Sequence, residues 1–441
     1  MRRLLLAAVL AWSAASAAAE DWPQWRGPRL DGSSMEKGLP LAWSADENIA
    51  WKTPLPGVGH SSPIVVGDNV FITTCLVEQK TLEKARQLIC IDRVNGKILW
   101  QREVVRSQLE PKHGLNSYAS ATPAADGQFV YVSFLRHRPM KKDDAKVAPN
   151  IRPDEMALPV WTTTVPEMVV ACYSAMGKKR WETVPGRFYS RQGFCSTPIL
   201  YKNLVIVNGD QDATAYIVAL DKTTGEEQWR IDRPNRTRSY CVPLIAKAGG
   251  KTQMVLTGSL GVDSYDPDNN GSLLWHQDGP TEQYVASPVY GSGLFFMTAG
   301  YPTYHNWTVR PDGKGNITKS HVVWHEKANN LKAAYVPSPL AAGRYFYMVS
   351  DTGNLSCFDA ATGDRLYMEK LGNHHSASPV LADGRLYFTD DAGMTHVVKV
   401  GPSFELISQN PLGEECYSSP AIARGQIFIR TKHALVCVGK Q

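Results

Sequence analysis

Aromatic and histidine side chains recur at one place in this sequence, three to five residues before the proline of a repeated pair made of a small residue and proline. They are His60, Tyr118, Phe194, Tyr240, Tyr284, Tyr335, His375 and Tyr417. Rings that converge from equivalent positions around a channel would stack on a planar ligand or hold a polar one. We predict a ligand- or cofactor-binding ring made of His60, Tyr118, Tyr240, Tyr335, His375 and Tyr417. The alternative is that these residues are packing residues of a repeat and only close the channel.

Carboxylates form the second candidate group, because several of them follow short apolar segments. They are Asp210, Asp212, Asp351, Asp390 and Asp391. Together with His375 they could form a metal site or a general base, since hard cations prefer clustered oxygen ligands. They could equally be solvated turn charges, or pair with the cationic side chains at similar positions, namely Arg136, His137 and Lys432.

A third candidate is the segment from Asp266 to Gly271, which has the D-x-D-x-N-G order that opens a calcium loop. We predict Asp266, Asp268 and Asn270 as metal ligands. The position that closes such a loop holds Gln277 instead of glutamate. The segment also coincides with a turn between two predicted strands, so an ordinary turn is the alternative.

Repeated elements must position all these groups. The small-residue–proline pair occurs at eight places, each time followed by an apolar pair, a turn and an aromatic-rich strand. The prolines are Pro63, Pro123, Pro198, Pro243, Pro288, Pro339, Pro379 and Pro420. A period of about 40–45 residues with four strands per period is typical of a β-propeller. We therefore predict an all-β, eight-bladed β-propeller with four antiparallel strands per blade, over residues 45–441; seven blades is the alternative.

The last copy lacks its fourth strand, because the chain ends soon after the segment from Ala434 to Val438. A lone strand near the N-terminus, from Asn48 to Thr53, has the composition of a fourth strand. We predict that this N-terminal strand completes the last blade. Such closure removes a sheet edge that would otherwise be exposed.

The turn between the third and fourth strands has a recurrent pattern, clearest at Ala219, Asp221, Thr224-Gly225 and Trp229. It resembles the tryptophan-docking signature of the pyrroloquinoline-quinone (PQQ)-type propeller repeat. Asp21 to Pro28 resembles the start of exported bacterial members of this family. The resemblance implies either a quinone-dependent alcohol or sugar dehydrogenase, with PQQ and calcium at the channel mouth, or a non-catalytic propeller such as the outer-membrane assembly scaffold lipoprotein. No Cys-Cys pair and no C-x-x-C-H haem motif occur, and we predict a non-catalytic binding or scaffolding module.

The N-terminus has the form of a signal peptide, with Arg2-Arg3, a short apolar run and Ala17-Ala18-Ala19. We predict a signal peptide at residues 1–19, an extension over 20–44 that packs on the propeller, and a periplasmic or secreted protein without a lipid anchor or membrane span.

Export permits disulfides, and Cys75 and Cys90 could pair. Cysteines at the position of Ala219 in other copies are expected to be small buried residues.

The net charge of +5 is spread along the chain without a basic block, which argues against nucleic-acid binding.

Two insertions, at residues 136–167 and 301–320, are predicted between the second and third strands of their blades. That would put both on the face where the aromatic ring lies. We expect a monomer that binds a protein partner or a small ligand at this face.

Overall fold

The computed structural model describes residues 19–44, 47–78, 80–144, 163–233 and 238–439. The predicted signal peptide lies outside these residues, apart from Ala19. The described residues form thirty-four strands, numbered β1 to β34 along the chain. They build eight antiparallel four-stranded blades around a central channel, so the predicted eight-bladed β-propeller is confirmed. Within each blade we letter the strands A to D in their order in the sheet, with the A strands of successive blades meeting around the channel.

Two short strands precede the first blade: β1 (Ser33–Ser34) and β2 (Ile49–Pro54). Blades 1 and 2 comprise β3 (Ile64–Val66), β4 (Asn69–Cys75), β5 (Lys84–Asp92) and β6 (Ile98–Ser107), then β7 (Ala124–Ala125), β8 (Phe129–Pro139), β9 (Thr164–Ser174) and β10 (Lys179–Arg187). Blades 3 and 4 comprise β11 (Ile199–Tyr201), β12 (Leu204–Asn208), β13 (Tyr216–Asp221) and β14 (Glu227–Asp232), then β15 (Leu244–Ala248), β16 (Lys251–Gly258), β17 (Gly261–Asp266) and β18 (Ser272–Asp278).

The second half of the ring repeats this plan. Blades 5 and 6 comprise β19 (Val289–Gly291), β20 (Leu294–Ala299), β21 (Tyr304–Val309) and β23 (Val322–Ala328), with β22 (Gly315–Asn316) between them in sequence, then β24 (Leu340–Ala342), β25 (Tyr345–Val349), β26 (Asn354–Asp359) and β27 (Arg365–Lys370). Blades 7 and 8 comprise β28 (Val380–Ala382), β29 (Arg385–Thr389), β30 (Met394–Lys399) and β31 (Leu406–Pro411), then β32 (Ala421–Ala423), β33 (Gln426–Arg430) and β34 (Ala434–Val438).

The N-terminal strand β2 closes the ring, as predicted. It pairs antiparallel with β34 and supplies strand D of blade 8, with Trp51 opposite Cys437. This register matches that of Trp229 opposite Ala219 in blade 3. The two ends of the chain therefore share one sheet, and blade 8 has no unpaired C strand.

Tryptophans on the D strands join neighbouring blades. The indole N–H of Trp51 donates to Arg93 O (2.8 Å), and that of Trp181 donates to Lys222 O (2.9 Å). Each acceptor lies in the C–D turn of the next blade. A Cβ on Gly225, in the same turn as Lys222, would lie 2.6 Å from the Trp181 ring, and this glycine has φ +78°. The glycine therefore serves both the turn and the close approach of the indole.

The core lies between the blades and is made of the apolar residues of strands B and C. Cys90, Cys172, Cys357 and Cys437 are fully buried, so the prediction that they are small core residues is confirmed. The possible bridge between Cys75 and Cys90 is wrong. Cys75 is paired with Arg86 and Cys90 with Phe71, so the strand register separates the two thiols, and all eight cysteines are free.

One of the two insertions has a different place from the predicted one. The insertion of blade 2 lies between strands B and C, although residues 145–162 of it are outside the described residues. In blade 5, however, Tyr304–Val309 is strand C itself, with Trp307 buried, because its apolar residues pair with β20. The B–C loop is only residues 300–303, and residues 310–321 connect strands C and D on the other face.

The N-terminal extension runs across the channel beneath the A strands. Trp22 forms backbone hydrogen bonds with Val65 in blade 1 (2.8 Å in both directions), and Pro23 O accepts from Ala125 N in blade 2 (2.8 Å). Gln24 Oε1 then accepts from Leu200 N in blade 3 (2.8 Å). Further along, β1 pairs with β28 of blade 7. The extension thereby blocks one end of the channel. Within the described ranges, no helix is long and apolar enough to cross a membrane.

Candidate functional site

The channel contains a cavity of about 680 Å³. Its walls are the loops that lead into the A strands and the first residues of those strands. At its inner end lies Trp25, from the N-terminal extension, so the cavity is closed at one end and open at the other. We call the Trp25 end the floor and the opposite end the mouth. A concave cavity with converging polar groups is the usual form of a small-ligand site.

The floor is held by the neighbour of Trp25. Arg26 is 2% exposed and donates to the carbonyls of Asp31 (2.7 Å), Ser338 (3.3 Å) and Pro339 (2.5 Å). Its guanidinium carbon lies 5.7 Å from the centre of the Trp25 ring. Burial lowers the pKa of Arg26 to about 10, so the side chain remains a cation at neutral pH. A cation bound only to carbonyl oxygens thus supports the floor from behind.

Above the floor, the hydroxyl residues that precede the repeated prolines form a belt around the channel. In the part of the chain that the structure describes, seven of the eight blade boundaries carry the same bond: the backbone N–H of the residue before one proline donates to the hydroxyl oxygen of the residue before the next. The bonds run from Ser62 N to Thr122 Oγ1 (2.9 Å), Thr122 N to Thr197 Oγ1 (3.2 Å), Val242 N to Ser287 Oγ (2.8 Å), Ser287 N to Ser338 Oγ (2.9 Å), Ser338 N to Ser378 Oγ (2.9 Å), Ser378 N to Ser419 Oγ (2.9 Å) and Ser419 N to Ser62 Oγ (3.1 Å).

We call this ring the hydroxyl belt. The proline that follows each of its members disfavours the helical backbone conformation and favours the extended one. The extended backbone directs the N–H and the side chain along the ring. The belt has a single gap among the described residues, between blades 3 and 4, because Val242 has no hydroxyl to accept the N–H of Thr197.

This belt can be tested with isosteric substitutions. We expect Thr122→Val to lower the free energy of unfolding by about 1–2 kcal/mol, because the buried N–H of Ser62 loses its acceptor. The reverse change, Val242→Thr, should fill the gap and raise the free energy of unfolding by about 1 kcal/mol. Urea unfolding of both variants beside the parent protein measures the difference. A Val242→Thr variant that is less stable than the parent would contradict the belt as a stabilising element.

Aromatic rings surround the mouth. His60 stacks on Tyr417 with ring centres 4.6 Å apart. The Tyr335 hydroxyl donates to Gln283 Oε1 (2.8 Å), and burial raises the pKa of both Tyr335 and Tyr240. Burial, helped by nearby cations, lowers the pKa of His60 to about 3, so this histidine is neutral. These rings offer neutral faces and fixed hydrogen-bonding groups.

The carboxylates of the mouth hold the loops that lead into the A strands. Asp351 accepts the backbone N–H groups of Tyr335 (2.6 Å) and Val336 (3.1 Å). Burial raises the pKa of Asp351 to about 6 despite these two bonds. Asp391 plays the same part in blade 7, where it accepts from Ser376 N (2.7 Å).

Blade 3 repeats this arrangement with a cation added. Asp212 accepts from Arg191 N (3.2 Å) and forms an ion pair with Arg238 (3.1 Å). Of the carboxylates that the sequence singled out, Asp212, Asp351 and Asp391 are therefore bound to loop backbone, on blades 3, 6 and 7. Asp210 instead binds the side chain of Arg233. The first role of the carboxylates bound to loop backbone is to fix the shape of the mouth.

The structure brings four residues of the predicted ring to the cavity wall: His60, Tyr240, Tyr335 and Tyr417. Tyr118 is instead half-buried between blades 1 and 2, with Lys112 Nζ 5.3 Å from its ring centre. His375 is completely buried, because its ring contacts Leu371 O (2.8 Å) and packs on residues of blade 7. Its neighbour His374 lines the cavity in its place.

The predicted calcium segment lies far out on blade 4, in its C–D turn. Asp266 accepts the backbone N–H of Asp268 (3.0 Å), as in an ordinary turn. Asp268 forms an ion pair with Lys202 (2.5 Å) and accepts from the Tyr201 hydroxyl (2.8 Å). Asn270 has φ +51°. The carboxylate of Asp268 is thus engaged with a cation of the neighbouring blade, and metal binding here stays a prediction.

Sequence reasoning missed the floor, the belt and two arginines of the mouth, Arg191 and Arg238. The belt had a signal, since seven of the eight residues before the repeated prolines are serine or threonine. For Trp25, the sequence shows only an aromatic residue in an N-terminal extension that is expected to be ordered. Its place in the channel depends on the path of the chain across blades that lie far apart in sequence.

Comparison with known families gives a match over most of the chain. The model of the family described as outer membrane protein assembly factor BamB matches residues 34–138, 160–310 and 315–400. The chain belongs to this family. The predicted PQQ-type propeller repeat is thereby confirmed. No curated protein sequence matches the chain.

Two solved structures show how far the fold of this BamB-family chain is shared. BamB from Moraxella catarrhalis is 11% identical, with a TM-score of 0.55 over 88% of this chain and 99% of that protein. Quinohemoprotein alcohol dehydrogenase from Comamonas testosteroni is also 11% identical, with a TM-score of 0.60 over 96% of this chain and 81% of that protein. At such identities the likeness concerns the propeller fold alone.

Calcium, which the repeat resemblance implies for a quinone-dependent enzyme, needs several oxygen ligands around one point. In the described ranges, no three His, Cys, Asp or Glu side chains are arranged to hold a metal ion. The carboxylates of the cavity mouth lie on separate blades, and each is occupied by backbone N–H groups or by a neighbouring side chain. The donor set of this BamB-family cavity does not fit a calcium ion.

Proposed function

We propose that this protein is an exported, non-catalytic propeller that acts as a binding or scaffolding module, with its binding site at the cavity mouth. The observation that carries this proposal is that the carboxylates at the mouth are engaged by the protein backbone. Asp212, Asp351 and Asp391 each accept backbone N–H groups of the loops that lead into the A strands. Groups engaged in this way hold a surface in one shape, which favours recognition.

Exposed apolar side chains at the mouth support a protein partner. Leu115 is 46% exposed and Tyr301 is 52% exposed, and both border the cavity. The insertion of blade 2 adds polypeptide between strands B and C, at the end of strand B that faces the mouth. Apolar side chains beside a cavity and a long loop are common features of a protein-binding face. The family description, an outer-membrane protein assembly factor, agrees with a partner of this kind.

Residues 1–19 have the form of a signal peptide, and we infer that the protein works in the periplasm or outside the cell. Most of this segment lies outside the described residues, so the proposal rests on its sequence. We also propose that the protein is a monomer. Cleavage after Ala19 would leave Glu20 at the new N-terminus. Glu20 forms an ion pair with Arg29 (2.5 Å) within the extension.

Enzyme assays separate this proposal from a quinone-dependent dehydrogenase. Purified protein is titrated with PQQ and calcium by calorimetry, then tested for dye-linked oxidation of a panel of alcohols and sugars. We expect no turnover above the protein-free reaction, whether or not the quinone binds. Saturable oxidation that requires PQQ and this protein would overturn the non-catalytic assignment.

Site-specific photocrosslinking tests the binding face. A benzoylphenylalanine is placed at Leu115 or at Tyr301, and at Leu273 as the control, in the full-length protein in its host. Leu273 is 56% exposed but lies on strand D of blade 4, away from the cavity. We expect the same crosslinked partner from both mouth positions and none from the control. Equal crosslinking from all three positions, or none from any, would contradict a partner at the mouth.

A further inference from the structure

The hydroxyl belt has donors directed at no protein acceptor. Each belt hydroxyl uses its oxygen to accept a backbone N–H, which leaves its own proton to donate. Among the described residues, five hydroxyls that line the cavity have no protein acceptor for that proton. They are Ser62, Thr122, Ser338, Ser378 and Ser419. Because the N–H bond polarises each hydroxyl, it becomes a stronger donor.

The belt lies nearer the floor than the carboxylates do. In blade 6, Asp351 binds the backbone of Tyr335 and Val336, the belt residue Ser338 follows two residues later, and Arg26 binds the carbonyls of Ser338 and Pro339. At blade 6, the order of the groups from mouth to floor is therefore carboxylate, hydroxyl and guanidinium. In this blade, the Ser338 residue and the buried cation are close together, and the Asp351 carboxylate is on the outer side.

Positive charge near the floor has no carboxylate as a hydrogen-bond partner. Arg26 donates only to carbonyl oxygens, and its Nε has no partner. The nearest carboxylate in sequence, Asp31, is held by Ser33 N (2.8 Å) and Ser33 Oγ (2.7 Å). The charge of the Asp31 carboxylate raises the pKa of Arg26, but by less than burial lowers it. A partly compensated cation in a low-dielectric region still attracts an anion over several ångströms.

The charges of the mouth do not cancel this attraction. Asp212 is paired with Arg238, and Asp391 contacts His374 (2.6 Å). Asp351 is bound by two backbone N–H groups. Arg191 lines the cavity, and no acceptor for its guanidinium is found in the described residues. The mouth is thus nearly balanced in charge, and the floor holds the Arg26 cation with Asp31 as a nearby counter-charge.

We propose that the inner end of the cavity binds the oxyanion of a small organic acid, a carboxylate or a phosphate, through the belt hydroxyls above Trp25. A carboxylate or phosphate offers several acceptor lone pairs to converging O–H donors, and such charge-assisted bonds are the strong ones. The rest of the molecule lies between the rings of Tyr240, Tyr335 and Tyr417. This inference rests on the proposed binding function and names the class of ligand for the same cavity.

The test uses three sugars that share one ring. Glucose, glucuronate and glucose 6-phosphate are titrated into the full-length mature protein by calorimetry at low salt, with inorganic phosphate as a fourth probe. We expect the two acids to bind and glucose not to bind. The stronger of the two acids identifies carboxylate or phosphate as the preferred group. Equal affinity for glucose and both acids, or no binding by either acid, would overturn the proposal.

Belt variants then locate the site. Thr122→Val removes one free hydroxyl, and we expect the affinity for the better acid to fall about tenfold. Val242→Thr adds a hydroxyl at the cavity wall and should raise the affinity. Ser287→Ala is the matched control, because Ser287 belongs to the belt but does not line the cavity. The Ser287→Ala variant should be less stable than the parent protein but bind the better acid with the same affinity.

The control also separates binding from folding. If Ser287→Ala weakens acid binding as much as Thr122→Val does, the belt acts only through stability and the proposal is wrong. This outcome is independent of the dehydrogenase assay, so the ligand class can fail while the non-catalytic function stands. Oxidation of a substrate in the dehydrogenase assay would instead overturn the non-catalytic function and leave the ligand class standing.

Discussion

Replacing Asp210 with alanine is expected to lower the free energy of unfolding by about 3–5 kcal/mol, because a buried cation loses its main partner. Arg233 is 1% exposed and binds both oxygens of Asp210, at 2.8 and 2.9 Å. It also binds Asp263 (2.9 Å) and the Tyr265 hydroxyl (2.8 Å) of blade 4. Since Arg233 and Asp210 belong to blade 3, this network joins two blades at the boundary where the hydroxyl belt has its gap.

An exposed ion pair provides the matched control for this first substitution. Asp268 and Lys202 also join blades 4 and 3, but both are on the surface. Asp268→Ala should therefore cost less than about 1 kcal/mol. Urea unfolding followed by tryptophan fluorescence measures both variants. If Asp210→Ala costs no more than Asp268→Ala, the buried network does not stabilise the boundary.

Replacing Trp51 with alanine is the second change with a large expected effect, about 3–5 kcal/mol. Trp51 is 8% exposed and lies between the last blade and the first. Its ring covers Gly96 of blade 1 and lies 6.0 Å from Phe428 of blade 8, and its N–H donates to Arg93 O. The substitution leaves a cavity at the point where the ring closes, so the loss of stability should be accompanied by faster hydrogen exchange in blades 8 and 1.

A conservative variant of the same residue separates packing from hydrogen bonding. Trp51→Phe keeps a ring against Gly96 but removes the indole N–H, and we expect it to cost about 1–2 kcal/mol. Hydrogen exchange in blades 3 and 4 should be unchanged in both variants. Uniformly faster exchange around the ring would show that Trp51 supports the whole propeller and has no special part in its closure.

Much of the architecture was predictable because it is repeated. Eight proline positions at similar spacing indicated eight blades, and each blade needs neighbours to bury its apolar faces. The strand from Ile49 to Pro54 could be assigned to blade 8 because the last copy lacked a fourth strand and Trp51 resembled Trp229. Four of the six predicted ring residues line the cavity for the same reason, since equivalent positions in a repeat meet around one axis.

Errors arose where one copy departs from the average. The sequence predicts a single insertion at residues 301–320, but Trp307 pairs into blade 5 and divides the segment between the two faces. His375 and His374 are adjacent, and the sequence offers no basis for choosing which one faces the channel; contacts with Leu371 and Asp391 decide that. Cys75 and Cys90 lie on paired strands, yet their register keeps them apart.

The sequence by itself determined the class of fold, the number of blades and the closure by the N-terminal strand, because these follow from period and composition along the chain. Only the tertiary structure decided what the cavity is. The belt joins residues as distant in sequence as Ser62 and Ser419, and Arg26 supports the floor through Ser338 and Pro339. Such contacts exist only after the blades close into a ring, because closure brings positions hundreds of residues apart around one axis.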